Sequence, residues 1–343
     1  MMQTRTLWLA AGFSVAALSA VYAQSTRPTG SGRGYASDTF EGFETLDEDS
    51  RIPQKKKSFW FSVSEKTPEK QLEYARKKEA GERAKSARKA YEALVREWPT
   101  SPAAAEAQLG LAHLLEGQGK YEKAFDEYQY LLTYYAGHCP FNEVLDRQFR
   151  IANTLLHSNR SMFGWTLSGL DPIRERFEQI VRNAPRSARA PEILLIIGSI
   201  RVSQKELEEA VAVYDGLLNR FPASPQAQSA TFLAAQCRHT LAVRHSYNEP
   251  RCREAIAFLK AVLARAPTHP QKEQMTAWMN ELTALLQEQN YQRALFYDTR
   301  QRNAEAAKAA YRRFLAEFAD SKYGPEVRSR LAALENGAPP ASK

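Results

Sequence analysis

The sequence predicts an all-α fold, a solenoid of stacked helical hairpins, and two observations predict it. The first is a repeated phrase: Ala, an aromatic four residues later, an aliphatic three after that, then Pro. Ala87, Tyr91, Leu94 and Pro99 state it, and Ala210, Tyr214, Leu217 and Pro222 repeat it at the same spacing. Looser copies run through Ile173, Phe177, Ile180, Pro185 and through Ala255, Leu259, Val262, Pro267. Ala124, Tyr128, Leu131 and Ala307, Tyr311, Phe314 keep the first three positions without the Pro. Such offsets put three residues on one stripe of an α-helix, and Pro, which cannot continue a helix, ends it. The second observation is that Lys and Arg alternate with Asp and Glu along these same stretches, as on solvated helix faces.

Taken in order, residues 1–23 read as a signal peptide. Arg5 precedes the apolar run Leu7 to Leu18, which ends in the small residues around Ala23. The run falls short of the ~20 residues that span a bilayer, although an uncleaved anchor is the alternative. Residues 24–67 carry Gly30, Gly32, Gly34, an acidic stretch and Lys55-Lys56-Lys57 without helical period, and read as a disordered or loosely docked leader. Phe59, Trp60 and Phe61 are out of place there, and serve either as a cap on the first hairpin or as a docking segment for a partner.

The solenoid is expected over residues 68–335, with a disordered tail at 336–343. Its hairpins pair Lys70 to Arg83 with Ser86 to Glu97, and Pro102 to Glu116 with Tyr121 to Tyr135 across the turn Gly117-Gln118-Gly119. Asn142 to His157 pairs with Pro172 to Asn183 across an insertion containing Phe163, Gly164 and Trp165. Pro191 to Ser203 pairs with Leu207 to Arg220, and Gln226 to Arg244 with Arg251 to Arg265. Gln271 to Arg300 reads as one overlong helix that packs on Ala304 to Phe318, before a capping helix from Pro325 to Leu334.

Within a frame of roughly 34 residues, Gly198 and Ala210 allow close helix approach while Tyr214 fills the gap, which is the tetratricopeptide pattern. Residues 105 to 138 repeat it through Leu111, Ala112, Gly119, Ala124 and Tyr128. Stacked hairpins offer a groove lined by the first helix of each pair. Leu109, His113, Glu116, Leu195, Ser199 and Val202 are expected to face it. Chaperone-binding tetratricopeptide domains hold a C-terminal carboxylate with Lys and Asn at such positions, and this chain lacks them.

Chemistry is sparse. No Gly-rich phosphate loop, His-Glu-x-x-His helix or Gly-x-Ser-x-Gly elbow occurs, so neither an enzyme nor a cofactor is expected. The net charge of +8 would suit nucleic acid, but the charges alternate and export removes the chain from it. Of three Cys, Cys237 and Cys252 flank one helix connection and are candidates for a disulfide. His239 and His245 lie between them, but the spacing matches no recurrent metal-ligand pattern, so no metal is expected.

Residues 251 to 334 also resemble the BamD (YfiO-type) components of the outer-membrane β-barrel assembly machinery. The likeness runs through Arg253-Glu254-Ala255-Ile256-Ala257-Phe258, Ala266-Pro267-Thr268-His269-Pro270, the long helix with Ala294-Leu295-Phe296-Tyr297, and Ala307, Tyr311, Leu315 and Ala319-Asp320-Ser321. Met162-Phe163-Gly164 ahead of Asp171-Pro172 is similar to the Phe-Gly loop that interrupts a repeat in that family. The lipidated Cys of that family has no counterpart beside Ala23. The resemblance implies a periplasmic scaffold that binds assembly-machine subunits, chiefly the barrel-forming partner, and unfolded outer-membrane proteins. It would meet the membrane only through those partners. A scaffold of another envelope system, in polysaccharide export or peptidoglycan synthesis, is the alternative that the same repeats would serve.

Overall fold

The computed structural model describes residues 63–163 and 169–337, leaving out the side chains of 160–163. The signal segment, the leader with Phe59, Trp60 and Phe61, residues 164–168 of the Phe-Gly insertion and the last six residues lie outside the described residues.

Thirteen α-helices, with no strand among the described residues, make up the fold. They are α1 (Pro68–Ala80), α2 (Ala84–Glu97), α3 (Pro102–Gly117), α4 (Tyr121–Tyr134), α5 (Phe141–Phe163), α6 (Asp171–Asn183), α7 (Ala190–Ser203), α8 (Leu207–Arg220), α9 (Gln226–Arg244), α10 (Glu249–Arg265), α11 (Lys272–Leu295), α12 (Ala304–Phe318) and α13 (Gly324–Glu335). Each packs on the next, and α1 also meets α3, α7 meets α9 and α9 meets α11. Neighbour-to-neighbour packing of this kind defines a solenoid, here six hairpins and a closing helix.

Helix starts follow from capping chemistry. Thr67 Oγ1 accepts from the Lys70 amide at 3.4 Å with Pro68 behind it, so α1 begins two residues before the periodicity predicts. Ser101 caps α3, Asn248 caps α10 and Asn303 caps α12 by the same bond, at 3.2, 3.2 and 3.0 Å.

The repeated phrase is the core. Its Ala, aromatic and aliphatic positions are buried in all six copies, Val262 alone being half-exposed. Full burial of each large side chain contributes roughly 1.5–3 kcal/mol. Gly198 makes the close approach that its position demands: a Cβ there would overlap Cε1 of Tyr214. The buried residues form two clusters, one from Leu72 to Cys237 and one from Phe232 to Leu334, with Leu233 and Phe258 packed against both.

Two expectations are corrected. The helix from Gln271 does not run as α-helix to Arg300; after Leu295 it widens into a π-helical turn, Phe296–Arg300. Asp298, on that turn, is buried and accepts from Tyr311 Oη at 3.0 Å and Arg330 Nη1 at 3.2 Å. Cys237 and Cys252 are free thiols rather than a bridge. α9 continues to Arg244, so Cys237 sits roughly 10 Å of helix rise below its end, while Cys252 lies in the first turn of α10. Cys237 joins the first cluster, where burial pushes its thiol up to about 11, and Cys252 joins the second, with its thiol 3.9 Å from the Ala242 carbonyl.

Candidate functional site

The motif tyrosines carry polar chemistry to the helix surface. Tyr91 Oη donates to Glu79 Oε2 and Tyr128 Oη to Glu116 Oε2, each at 2.6 Å and each across twelve residues. Tyr311 repeats the arrangement with Asp298. In the fourth repeat Val202 stands at the acidic position, and among the described residues Tyr214 Oη meets Ser199 Oγ, at 3.5 Å, in place of a carboxylate. Burial, and then the carboxylate partner where there is one, holds all four phenols protonated well beyond their ordinary range. An acid twelve or thirteen residues before a motif tyrosine was a readable signal that periodicity alone does not find.

At Tyr128 this pair borders a cleft of about 640 Å³ between the α3–α4 hairpin and α5. His113, Glu116, Gly117 and Tyr121 line one side, and Arg147, Arg150, Ile151 and Thr154 the other. The ring of His113 meets that of Tyr128 edge to face, centroids 5.9 Å apart. Arg147 bridges the walls, donating from Nη1 to Glu116 at 3.2 Å and from Nη2 to Glu143 at 2.9 Å. Burial, and secondarily the Arg147 charge, lowers the His113 pKa, so the imidazole is neutral near pH 7. The cleft can donate hydrogen bonds through its guanidinium groups, whose two charges Glu116 and Glu143 balance, and among the described residues it holds no nucleophile paired with a base.

Of the six residues predicted to face a groove, His113 and Glu116 line this cleft. Leu109 and Val202 are half-buried against the first core cluster. Leu195 is a correction, since it is buried within that cluster. α7 is apolar on nearly every face because α6, α8 and α9 all pack on it, which leaves Leu195 no solvent side. Ser199 is exposed, and its hydroxyl donates back to the Leu195 carbonyl at 2.9 Å. Arg147, Arg150 and Tyr121 escaped the sequence reading, which looked for the groove only on the first helices of the hairpins at 105 to 138 and 191 to 224.

Among the described residues no group of three or more His, Cys, Asp or Glu could hold a metal ion, and no helix is long and apolar enough to cross a membrane.

Comparison with known families gives two matches, separated by residues 139–173. Residues 75–138 match a tetratricopeptide-repeat family model, and residues 174–338 match the YfiO model, described as an outer membrane lipoprotein. The chain is a tetratricopeptide-repeat protein resembling the YfiO family. In this tetratricopeptide protein the YfiO-like stretch begins in α6, well ahead of residue 251 where the sequence resemblance was read. The cleft belongs to the other part, with its α3–α4 wall inside the tetratricopeptide match. Similar solved structures include the C-terminal part of a TPR repeat-containing protein from Cytophaga hutchinsonii, at 14% identity over 77% of this chain and 88% of that one, TM-score 0.29. Another is a tetratricopeptide repeat protein from Parabacteroides merdae, at 13% identity over 78% and 99%, TM-score 0.30. No curated protein matches the chain.

Proposed function

We propose that this protein is an exported, non-catalytic scaffold that works in the periplasm at the outer membrane, as a BamD-like component of β-barrel protein assembly. The observation that carries the reading is the YfiO match across residues 174–338, an outer-membrane family aligned with α6 to α13. A solenoid suits the role because several hairpins contribute side chains to one extended surface. Proteins are the partners in this reading, both assembly subunits and unfolded outer-membrane chains, and no nucleic acid is involved.

Affinity purification from detergent-solubilised envelopes tests it. Recovery of the barrel-forming assembly subunit is the expected outcome. Exclusive recovery of polysaccharide-export or cell-wall enzymes would overturn the assembly role and leave a scaffold of another envelope system. Fractionation that found the protein only in the cytoplasm would overturn export.

A further inference from the structure

The large hydrophobic side chains that stand exposed among the described residues are Val243, Tyr247 and Phe296, and all three belong to the ends of α9 and α11. These two helices run side by side in the same direction. Trp278 of α11 stacks on both Phe232 and His239 of α9, with ring centroids 5.4 and 5.1 Å apart, and further along Gln289 donates to the Ser246 carbonyl. The α9–α10 and α11–α12 connections therefore share one edge of the solenoid. Both are longer than the three-residue turns that join α3 to α4 and α7 to α8. Tyr247 is 80% exposed, its ring meeting His245 edge to face at 6.1 Å, and Phe296 is 48% exposed. Exposed apolar residues scattered singly are ordinary, but a group confined to one edge marks a contact.

The same edge is basic. Residues 241–255 and 290–308 hold seven Lys and Arg against four Asp and Glu. All four carboxylates are engaged: Glu249 by Arg253, Arg293 and Arg313, Glu254 by Arg238 at 3.9 Å, Asp298 by Arg330 and Glu305 by Lys308. Groups that reach in from outside do not reverse the excess, since Arg238, Arg313 and Arg330 outnumber Glu208 and Glu317. On the preceding hairpin, exposed Lys205 and Glu209 offset each other. Arg244, Arg300 and Arg302 are left exposed and without an ion-pair partner among the described residues.

Free guanidinium groups around protruding rings select the partner. Protein interfaces gather their anchors into desolvated pockets. A bilayer surface instead takes aromatic rings singly at the depth of the headgroups, and the guanidinium fork fits the oxygens of a phosphodiester. Tyr247 suits that depth, with an apolar ring and a hydroxyl that stays wet, while Phe296 and Val243 add apolar reach.

We propose that the edge formed by the α9–α10 and α11–α12 turns is a membrane-surface contact, in which Tyr247 and Phe296 enter the headgroup layer of an anionic phospholipid bilayer and Arg244, Arg300 and Arg302 pair its phosphates. The proposal rests on the reading of an outer-membrane scaffold and adds a direct contact with lipid to those made through protein partners.

Flotation of the purified full chain with vesicles tests it, at physiological salt, using phosphatidylcholine alone and an equal mixture with phosphatidylglycerol. All variants share one full-length background, so residues 1–23 contribute equally to each. The anionic vesicles are expected to bind more tightly. Replacing Arg244, Arg300 and Arg302 together by Gln is expected to weaken that binding on the order of 100-fold, as three cations near an anionic surface imply. Replacing Lys260, Arg265 and Lys272 together by Gln removes the same charge from exposed positions away from this edge, and is expected to weaken it less than about fivefold. Tyr247→Ser combined with Phe296→Ser leaves the charge unchanged and is expected to weaken it at least about tenfold. Matching melting curves establish that each variant is folded. Equal binding to both kinds of vesicle, equal loss in the two charge variants, or full binding without the aromatic rings would each overturn the proposal. So would edge variants that lose assembly partners from solubilised envelopes while the wild-type chain ignores vesicles, since the edge would then be a protein face. Envelope purification keeps the two readings apart. If the wild-type chain recovers assembly partners but does not distinguish the vesicles, the membrane contact alone falls; if it recovers none, the scaffold reading beneath it falls.

Discussion

Gly198 and Gly216 lie on opposite sides of the line between required and dispensable glycine. A methyl group at Gly198 would overlap the Tyr214 ring, whereas one at Gly216 would meet nothing within 4 Å. Gly198→Ala is therefore expected to destabilise by roughly 1–3 kcal/mol, as overpacked cores do. Gly216→Ala, in the interior of α8, is expected to stabilise by roughly 0.5–1 kcal/mol through helix propensity. Chemical denaturation of the two variants measures both. Tyr214 also governs behaviour in alkali. Burial raises its pKa above the ordinary value of 10, so the folded chain holds the phenolic proton more tightly than the unfolded one. That contribution is whole below pH 10 and is lost as pH rises towards the folded value, and Tyr91, Tyr128 and Tyr311 act in the same direction. The melting temperature is expected to hold up to about pH 10 and to fall steeply beyond it. Tyr214→Phe is expected to shallow that fall by one proton, about 1.4 kcal/mol per pH unit. An unchanged slope would mean that the ring ionises in the folded state.

At the scale of the element, the hairpin turn sets a backbone demand that residue types only partly advertise. Glu82, Gly119, Lys205 and Arg302 all have positive φ, between 49° and 70°, and each stands five residues before the Ala of its repeat. Only one of them is glycine. A left-handed conformation costs an L-residue roughly 1–2 kcal/mol, part of which glycine returns in unfolded-chain entropy. Lys205→Gly is thus expected to stabilise by about 0.5–1 kcal/mol, and Gly119→Ala to destabilise by a similar amount, in thermal melts of the single variants. The same turns show why helix existence was legible and helix ends were not. The stripe Ala87, Tyr91, Leu94 announces α2 from its apolar spacing, but its start at Ala84, with no side-chain cap, depends on the left-handed Glu82. α1 begins at Pro68 because Thr67 caps it, a local bond that hydrophobic period does not encode. The site was legible in the same uneven way. His113 and Glu116 follow from counting along an amphipathic helix, whereas Leu195 fails because α7 is enclosed on three sides and has no polar period to read. Arg147 and Arg150 belong to α5, whose position across the cleft is a tertiary fact.

For the whole molecule, two core clusters meeting around α9 and α10 imply that stability is distributed rather than shared. Leu111 is buried in the first cluster and touches none of the second, so Leu111→Ala is expected to cost roughly 2–5 kcal/mol locally. Since each hairpin is held by its neighbours, hydrogen exchange should accelerate in α2 to α5 while α12 and α13 keep their protection. Acceleration that is uniform from α1 to α13 would instead identify a single cooperative unit. The second cluster has its own tie. Glu249, at the start of α10, accepts from Arg253 at 2.7 Å, from Arg293 on α11 at 2.9 Å and from Arg313 on α12 at 3.4 Å, and Arg253 also bonds Glu317. One carboxylate thus clamps three successive helices of the YfiO-like stretch, and its side chain is only 11% exposed. Glu249→Ala leaves three guanidinium groups facing one another, and its expected signature is faster exchange confined to α10, α11 and α12, with α3 to α5 unchanged. Because the candidate cleft sits in the first cluster and the clamp in the second, the exchange patterns of Leu111→Ala and Glu249→Ala should not overlap, which separates the packing of one part from the charge network of the other.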